Sequence, residues 1–135
     1  MSFENLIDKV IDRIQNELDS SFEVEASGRH VHLSRKELDA LFGTGYELTK
    51  AKDLSQPGQY ASKERLTVVG PKGAFHNVVI LGPVRKESQV EVSLTDCLQL
   101  GVKAPIRESG DIEGTPGIVL VNGYKSVSLD KGLIV

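Results

Sequence analysis

The sequence has no tryptophan, a single cysteine and only 5% aromatic residues. One thiol, Cys97, excludes an intramolecular disulfide, and a core without tryptophan has to rest on aliphatic side chains. Neither sign of charge dominates. The net charge is −3 and the isoelectric point about 5.6, so the broad basic field that draws nucleic acid by phosphate neutralisation is missing and nucleic acid is not an expected partner. No signal peptide and no long apolar run can be read, so the chain is expected to be cytoplasmic, with no membrane partner. Phosphate-cradling motifs are missing as well. Neither Gly-x4-Gly-Lys-Ser/Thr nor Gly-x-Gly-x-x-Gly occurs, which removes the P-loop and dinucleotide-fold readings. No Gly-x-Ser-x-Gly elbow supports a serine hydrolase.

The 135 residues that are present, 39% of them apolar, suffice for one domain with its own core. Residues 1–20 place Phe3, Ile7, Val10, Ile11, Ile14 and Leu18 at helical spacing between charged positions, which predicts an amphipathic helix. It either packs on the protein body or a second copy, or docks in a partner's groove. Beyond it the punctuation is that of short strands. Gly70-Pro71-Lys72-Gly73 separates strands over 65–69 and 75–81, and Gly82-Pro83 is expected to break the second one. Asn122-Gly123 is expected to be the centre of a hairpin turn, and Leu133-Ile134-Val135 reads as a strand paired with something outside the chain, or as a sign of truncation. Ser34-x-x-Glu37 predicts a capped helix from about Arg35 to Phe42 that stops at Gly43, and Ser93 or Thr95 a second, ending at Gly101. Cys97, among Leu94, Leu98 and Leu100, is expected to be a small buried hydrophobe. The expected fold is mainly β, a small β-barrel with short capping helices and the N-terminal amphipathic helix, organised as 1–20 and 21–135.

Chemistry concentrates in Ser27-Gly28-Arg29-His30-Val31-His32-Leu33-Ser34. In an extended segment His30 and His32 share a face with Cα atoms roughly 6.6 Å apart, so two imidazoles can converge on one metal ion. An alternating strand with no ion gives the same spacing. Glu91, between Val90 and Val92, points away from both valines and is the candidate third ligand, or simply a solvent-facing carboxylate. Arg85, in a loop after Gly-Pro, offers a planar guanidinium that can clamp a phosphate, or is a solvated charge. His76 has no evident partner.

Six ordered motifs go further. Ser-Gly-Arg-His-Val-His-Leu-Ser (27–34), Leu-Ser-Gln-Pro-Gly-Gln-Tyr-Ala (54–61), Val-Gly-Pro-Lys-Gly (69–73), Leu-Gly-Pro-Val-Arg (81–85), Gln-Val-Glu-Val-Ser-Leu-Thr-Asp (89–96) and Gly-Thr-Pro-Gly-Ile (114–118) together resemble the PduL-type phosphate propanoyltransferases, zinc-dependent phosphotransacylases of bacterial microcompartments. The resemblance implies acyl transfer between coenzyme A and phosphate, with CoA thioester and phosphate as substrates. It implies zinc on His30, His32 and Glu91, phosphate on Arg85, and a CoA pocket with Ser27, Lys52 and Leu81. Where members often carry an arginine, this chain has Val79. Members also carry a second histidine cluster for a second zinc. The chain ends before it, so the resemblance implies a truncated form, with part of the family's second barrel missing and one zinc site. Residues 1–20 resemble an encapsulation peptide that docks to a shell protein, placing the enzyme inside the microcompartment, and a homo-oligomer is expected. The alternative is a non-catalytic, truncated β-barrel that serves in assembly or docking.

Overall fold

The computed structural model describes residues 28–135, so the expected helix over 1–20 and Ser27 lie outside the described residues. The remainder is mainly β. Strands β1 (His30–Ser34), β2 (Lys50–Asp53), β3 (Tyr60–Val69), β4 (Ala74–Arg85), β5 (Gln89–Glu91), β6 (Val119–Asn122), β7 (Lys125–Ser128) and β8 (Leu133–Ile134) are joined by two helices, α1 (Arg35–Phe42) and α2 (Leu94–Leu100). They form one sheet in the order β7-β6-β3-β4-β1-β5-β8, with β2 added beside β3. The sheet curls into a half-barrel. Its last strand meets the approach to β6, where the Leu133 N–H donates to the Pro116 carbonyl at 3.0 Å.

The core is built of aliphatic side chains, as the lack of tryptophan requires. Val31, Leu33, Leu66, Val78, Ile80, Val90, Leu120 and Leu133 are at most 2% exposed. Each contributes on the order of 2 kcal/mol by leaving water. Both helices close over this core. In α1 Leu38 and Leu41 are fully buried, and Phe42 packs against the same cluster. Ser34 caps α1, accepting from the Glu37 N–H at 3.5 Å. The reciprocal half of the expected box is replaced: the Ser34 hydroxyl donates to the Glu37 carboxylate, and the Ser34 N–H donates to Ser88 Oγ at 2.9 Å. The full capping box is at α2. There the Asp96 N–H donates to Ser93 Oγ at 3.0 Å and the Ser93 N–H to Asp96 Oδ2 at 3.1 Å. The helix ends on Gly101 in the left-handed conformation, φ 78°.

Three expectations are corrected. Gly82-Pro83 does not end β4, which runs on to Arg85 and pairs there with Ser34, so Arg85 is the last residue of a strand and not a loop residue. Asn122 is also a strand residue, opposite Lys125, which leaves Gly123-Tyr124 as the turn; its amide instead donates to the Leu41 carbonyl at 2.8 Å, tying the hairpin to α1. The strand at Leu133 pairs in parallel with β5 within this chain. β2 is exposed along its whole length. Among the described residues no helix is long and apolar enough to cross a membrane.

Candidate active site

β1 is an inner strand, parallel to β4 and antiparallel to β5. Because opposed residues share a face, the registers write the site as two rows across the sheet. One row runs Arg65, Val79, His30, Glu91, and the other runs Lys52, Ala61, Leu81, His32, Gln89. Both lie on the face opposite the core, since Val31, Ile80 and Val90 alternate inward. Five of the residues singled out in the sequence, Lys52, Leu81, His30, His32 and Glu91, therefore stand on one face. Arg85 adjoins them beside Ser34, and Ser27 lies outside the described residues.

His30 and His32 are each only 3% exposed. Their rings stand edge to face, 4.9 Å between centroids. His30 Nδ1 lies 2.9 Å from the Gly28 carbonyl, and its Nε2 lies 3.1 Å from Glu91 Oε2. A carbonyl only accepts, so it takes the Nδ1 proton and leaves Nε2 facing a carboxylate. That face is satisfied by a second proton or by a cation between the two atoms. Bonds of about 2.0–2.2 Å to a tetrahedral zinc set neighbouring ligand atoms roughly 3.3 Å apart, and ligating histidines commonly give their other N–H to a carbonyl. His32 Nδ1 is buried with no hydrogen-bond partner. The donors thus suit zinc in kind, and the fixed tautomer of His30 suits it in orientation. The three are not gathered about one point, and among the described residues no group of three or more His, Cys, Asp or Glu is arranged to hold a metal ion.

The electrostatics follow from the packing. Burial, reinforced by the nearby His30 and Arg85 charges, pulls the His32 pKa down to about 3, so the ring is neutral at physiological pH. The His30 hydrogen bond holds Glu91 below the usual carboxylate range, helped by the charges of His30 and Arg85. Arg85 is itself lowered by desolvation, with Glu91 opposing the shift. A half-buried cation thus stands at the edge of two imidazoles and a carboxylate, the setting in which a planar guanidinium binds a phosphate oxygen pair most strongly.

Two neighbours of Arg85 are missing from the sequence reading. Arg85 Nη1 donates to Ser109 Oγ at 2.9 Å, and Gln89 Nε2 donates to the same oxygen at 3.2 Å. Gln89, 2% exposed, also accepts from the Gly110 N–H at 2.7 Å and so pins the 109–110 turn. An amide among valines in a short strand is the sequence signal, because a polar side chain at a buried position needs partners. Upstream, Arg29 anchors the entrance to β1. It clasps Asp96 with Nε to Oδ2 at 3.1 Å and Nη2 to Oδ1 at 2.8 Å, and lies 3.9 Å over the Phe75 ring. His76 is exposed, with Nδ1 3.1 Å from Thr67 Oγ1.

Comparison with known proteins matches the family described as phosphate propanoyltransferase over residues 23–135. A phosphate propanoyltransferase of Enterococcus faecalis is 65% identical over 134 residues, covering 99% of this chain and 64% of that protein. One from Leptotrichia buccalis is 70% identical over 119 residues, 88% of this chain and 56% of that protein. One from Thermotoga maritima is 61% identical over 112 residues, 83% and 53% respectively. The chain thus spans between about half and two thirds of the length of these relatives. With six motifs in order and a family match over all but its first residues, this chain belongs to the phosphate propanoyltransferase family.

Proposed function

We propose that this chain takes part in the reversible transfer of an acyl group between coenzyme A and phosphate, with propanoyl-CoA or acetyl-CoA as the thioester. The observation that carries the reading is the placement of Arg85 at the edge of the His30, His32 and Glu91 face, among groups whose charges it influences. In the forward direction a phosphate oxygen forms a bond to the thioester carbonyl carbon and the carbon–sulfur bond breaks. The products are acyl phosphate and CoA, whose sulfur leaves with the electron pair and takes a proton. Arg85 binds the phosphate and offsets negative charge as the tetrahedral centre develops. Ser109 and Gln89 hold that guanidinium in place.

His30, His32 and Glu91 are the residues that would hold zinc. A zinc ion held there would supply Lewis-acid charge to a thioester or thiolate sulfur. The carbonyl of Gly28 fixes the His30 tautomer for that role. Lys52, Leu81 and Ser27 are the residues that would contact CoA. Residues 1–20 serve as the docking segment for a microcompartment shell protein, 21–135 as the transferase unit, and the assembled protein is a homo-oligomer. The test is release of free thiol from propanoyl-CoA when phosphate is added to the zinc-supplied protein. Release that disappears in Arg85→Ala is the expected result. Phosphate-independent release, or release unchanged by Arg85→Ala, refutes the assignment.

A further inference from the structure

The row through His30 carries a cation that the reaction as described does not use. Arg65 on β3 is opposite Val79 on β4, and Val79 is opposite His30 on β1. Opposed residues share a face, so Arg65 stands two strands, about 10 Å, from His30 on the same side of the sheet. The position between them is apolar and only partly exposed. The Arg65 side chain is exposed and makes no ion pair or hydrogen bond among the described residues. Its sequence neighbour Glu64 is engaged elsewhere, accepting from the Tyr46 hydroxyl at 2.9 Å and from the Thr49 N–H at 2.7 Å. Glu91, the acid in the row, is at the far end with His30. Arg65 is therefore an unneutralised guanidinium aligned with the histidines and offset from them along the sheet.

That offset suits a substrate with its reacting atom at one end and its anionic charge at the other. A CoA thioester is such a molecule: the flexible pantetheine arm sets its phosphates well away from the sulfur, and an apolar residue such as Val79 gives the arm a surface to cross. We infer that Arg65 is a substrate-binding residue that holds a phosphate of the nucleotide end of CoA, so that the pantetheine arm lies over Val79 and the sulfur arrives at the His30 row. This rests on the transferase reading. Arg65 belongs to specificity and not to bond making: it discriminates CoA from thiols that lack the nucleotide. A planar guanidinium is suited to the role because it binds a phosphate through two parallel N–H groups.

The experiment is direct binding of CoA, 3′-dephospho-CoA and pantetheine to the full chain and to Arg65→Ala and Arg65→Lys, by calorimetry at low salt. Arg65→Ala is expected to weaken CoA by about five- to thirtyfold, the range of a charge-assisted hydrogen bond partly screened by water. Pantetheine should change less than twofold, and Arg65→Lys should recover part of the loss. An equal loss for dephospho-CoA assigns the contact to the diphosphate, and a loss confined to CoA assigns it to the 3′-phosphate. If Arg65→Ala binds CoA as the unaltered chain does, or loses pantetheine in step with CoA, the inference is overturned. If the unaltered chain binds no CoA at all, the transferase reading itself fails and this inference with it, a result distinct from the previous two.

Discussion

Replacing Asp96 by alanine tests whether α2 holds the entrance to the histidine strand. The Asp96 side chain is 8% exposed and that of Arg29 28%, so the pair is largely withdrawn from water. The substitution removes both hydrogen bonds to Arg29, together with the acceptor for the Ser93 N–H. Truncating one member of a buried ion pair costs about 3–5 kcal/mol, because the survivor is left uncompensated. Arg29 keeps some solvent and the Phe75 face, which brings the expected loss to about 3 kcal/mol. For a domain of this size that corresponds to a fall in Tm on the order of 10 °C. Asp96→Asn keeps an acceptor for the cap and is expected to cost about half as much. Thermal and urea unfolding of Asp96→Ala, Arg29→Met and the double variant complete the measurement, with a coupling of at least about 1.5 kcal/mol expected. Additivity within about 0.5 kcal/mol, or a loss from Asp96→Ala below about 1 kcal/mol, refutes the reasoning. The carbonyl that orients His30 belongs to Gly28, next to Arg29, so a loosened entrance should also disturb the orientation of the His30 ring.

Other consequences are as direct. A Cβ on Gly117 would lie 1.7 Å from the Leu129 carbonyl oxygen, so Gly117→Ala must push two backbone segments apart and is expected to lower stability by several kcal/mol or abolish folding, as read by circular dichroism and urea titration. In chelator, stability should be fully present above pH 6.5 and fall as pH drops toward 3, because the unfolded chain protonates His32 near 6.5 while the folded one resists until about 3. The slope should approach about 1.4 kcal/mol per pH unit from this residue, and should be absent from the pH profile of His32→Asn. Glu91→Gln removes the negative partner of His30 and is expected to weaken zinc binding by at least about tenfold in equilibrium dialysis; unchanged affinity would exclude Glu91 as a ligand.

Local chemistry made much of this legible. The serine caps of both helices, the glycine that ends each, and the hairpin around Gly70 are short-range signals, and the structure follows them. The inward alternation of Val31, Ile80 and Val90 follows from strand periodicity once the strands are recognised. What the letters withheld was long-range. Nothing between His30 and Glu91 says that two residues 61 positions apart are direct cross-strand partners; that depends on β1 slotting between β4 and β5. Strand length at Arg85 was hidden for a related reason, because pairing with Ser34 outweighs the local tendency of Gly-Pro to end a strand. At Asn122 a tertiary hydrogen bond to α1 competes with the turn preference of Asn-Gly and shifts the hairpin by one residue. Ser109 remained invisible because its role exists only after Gln89 and Arg85 have been brought beside it.

The central position of β1 also has a temporal consequence. During synthesis His30 and His32 leave the ribosome before their neighbours on either side, residues 79–85 and 89–91, which emerge tens of residues later, and β5 waits for residues 133–134 to gain its own second neighbour. Contacts this distant in sequence close slowly, after local helices and hairpins have formed. The imidazole pair is therefore made well before the strands that flank it, and becomes a buried, oriented site only once residues 79–91 and 133–134 have followed.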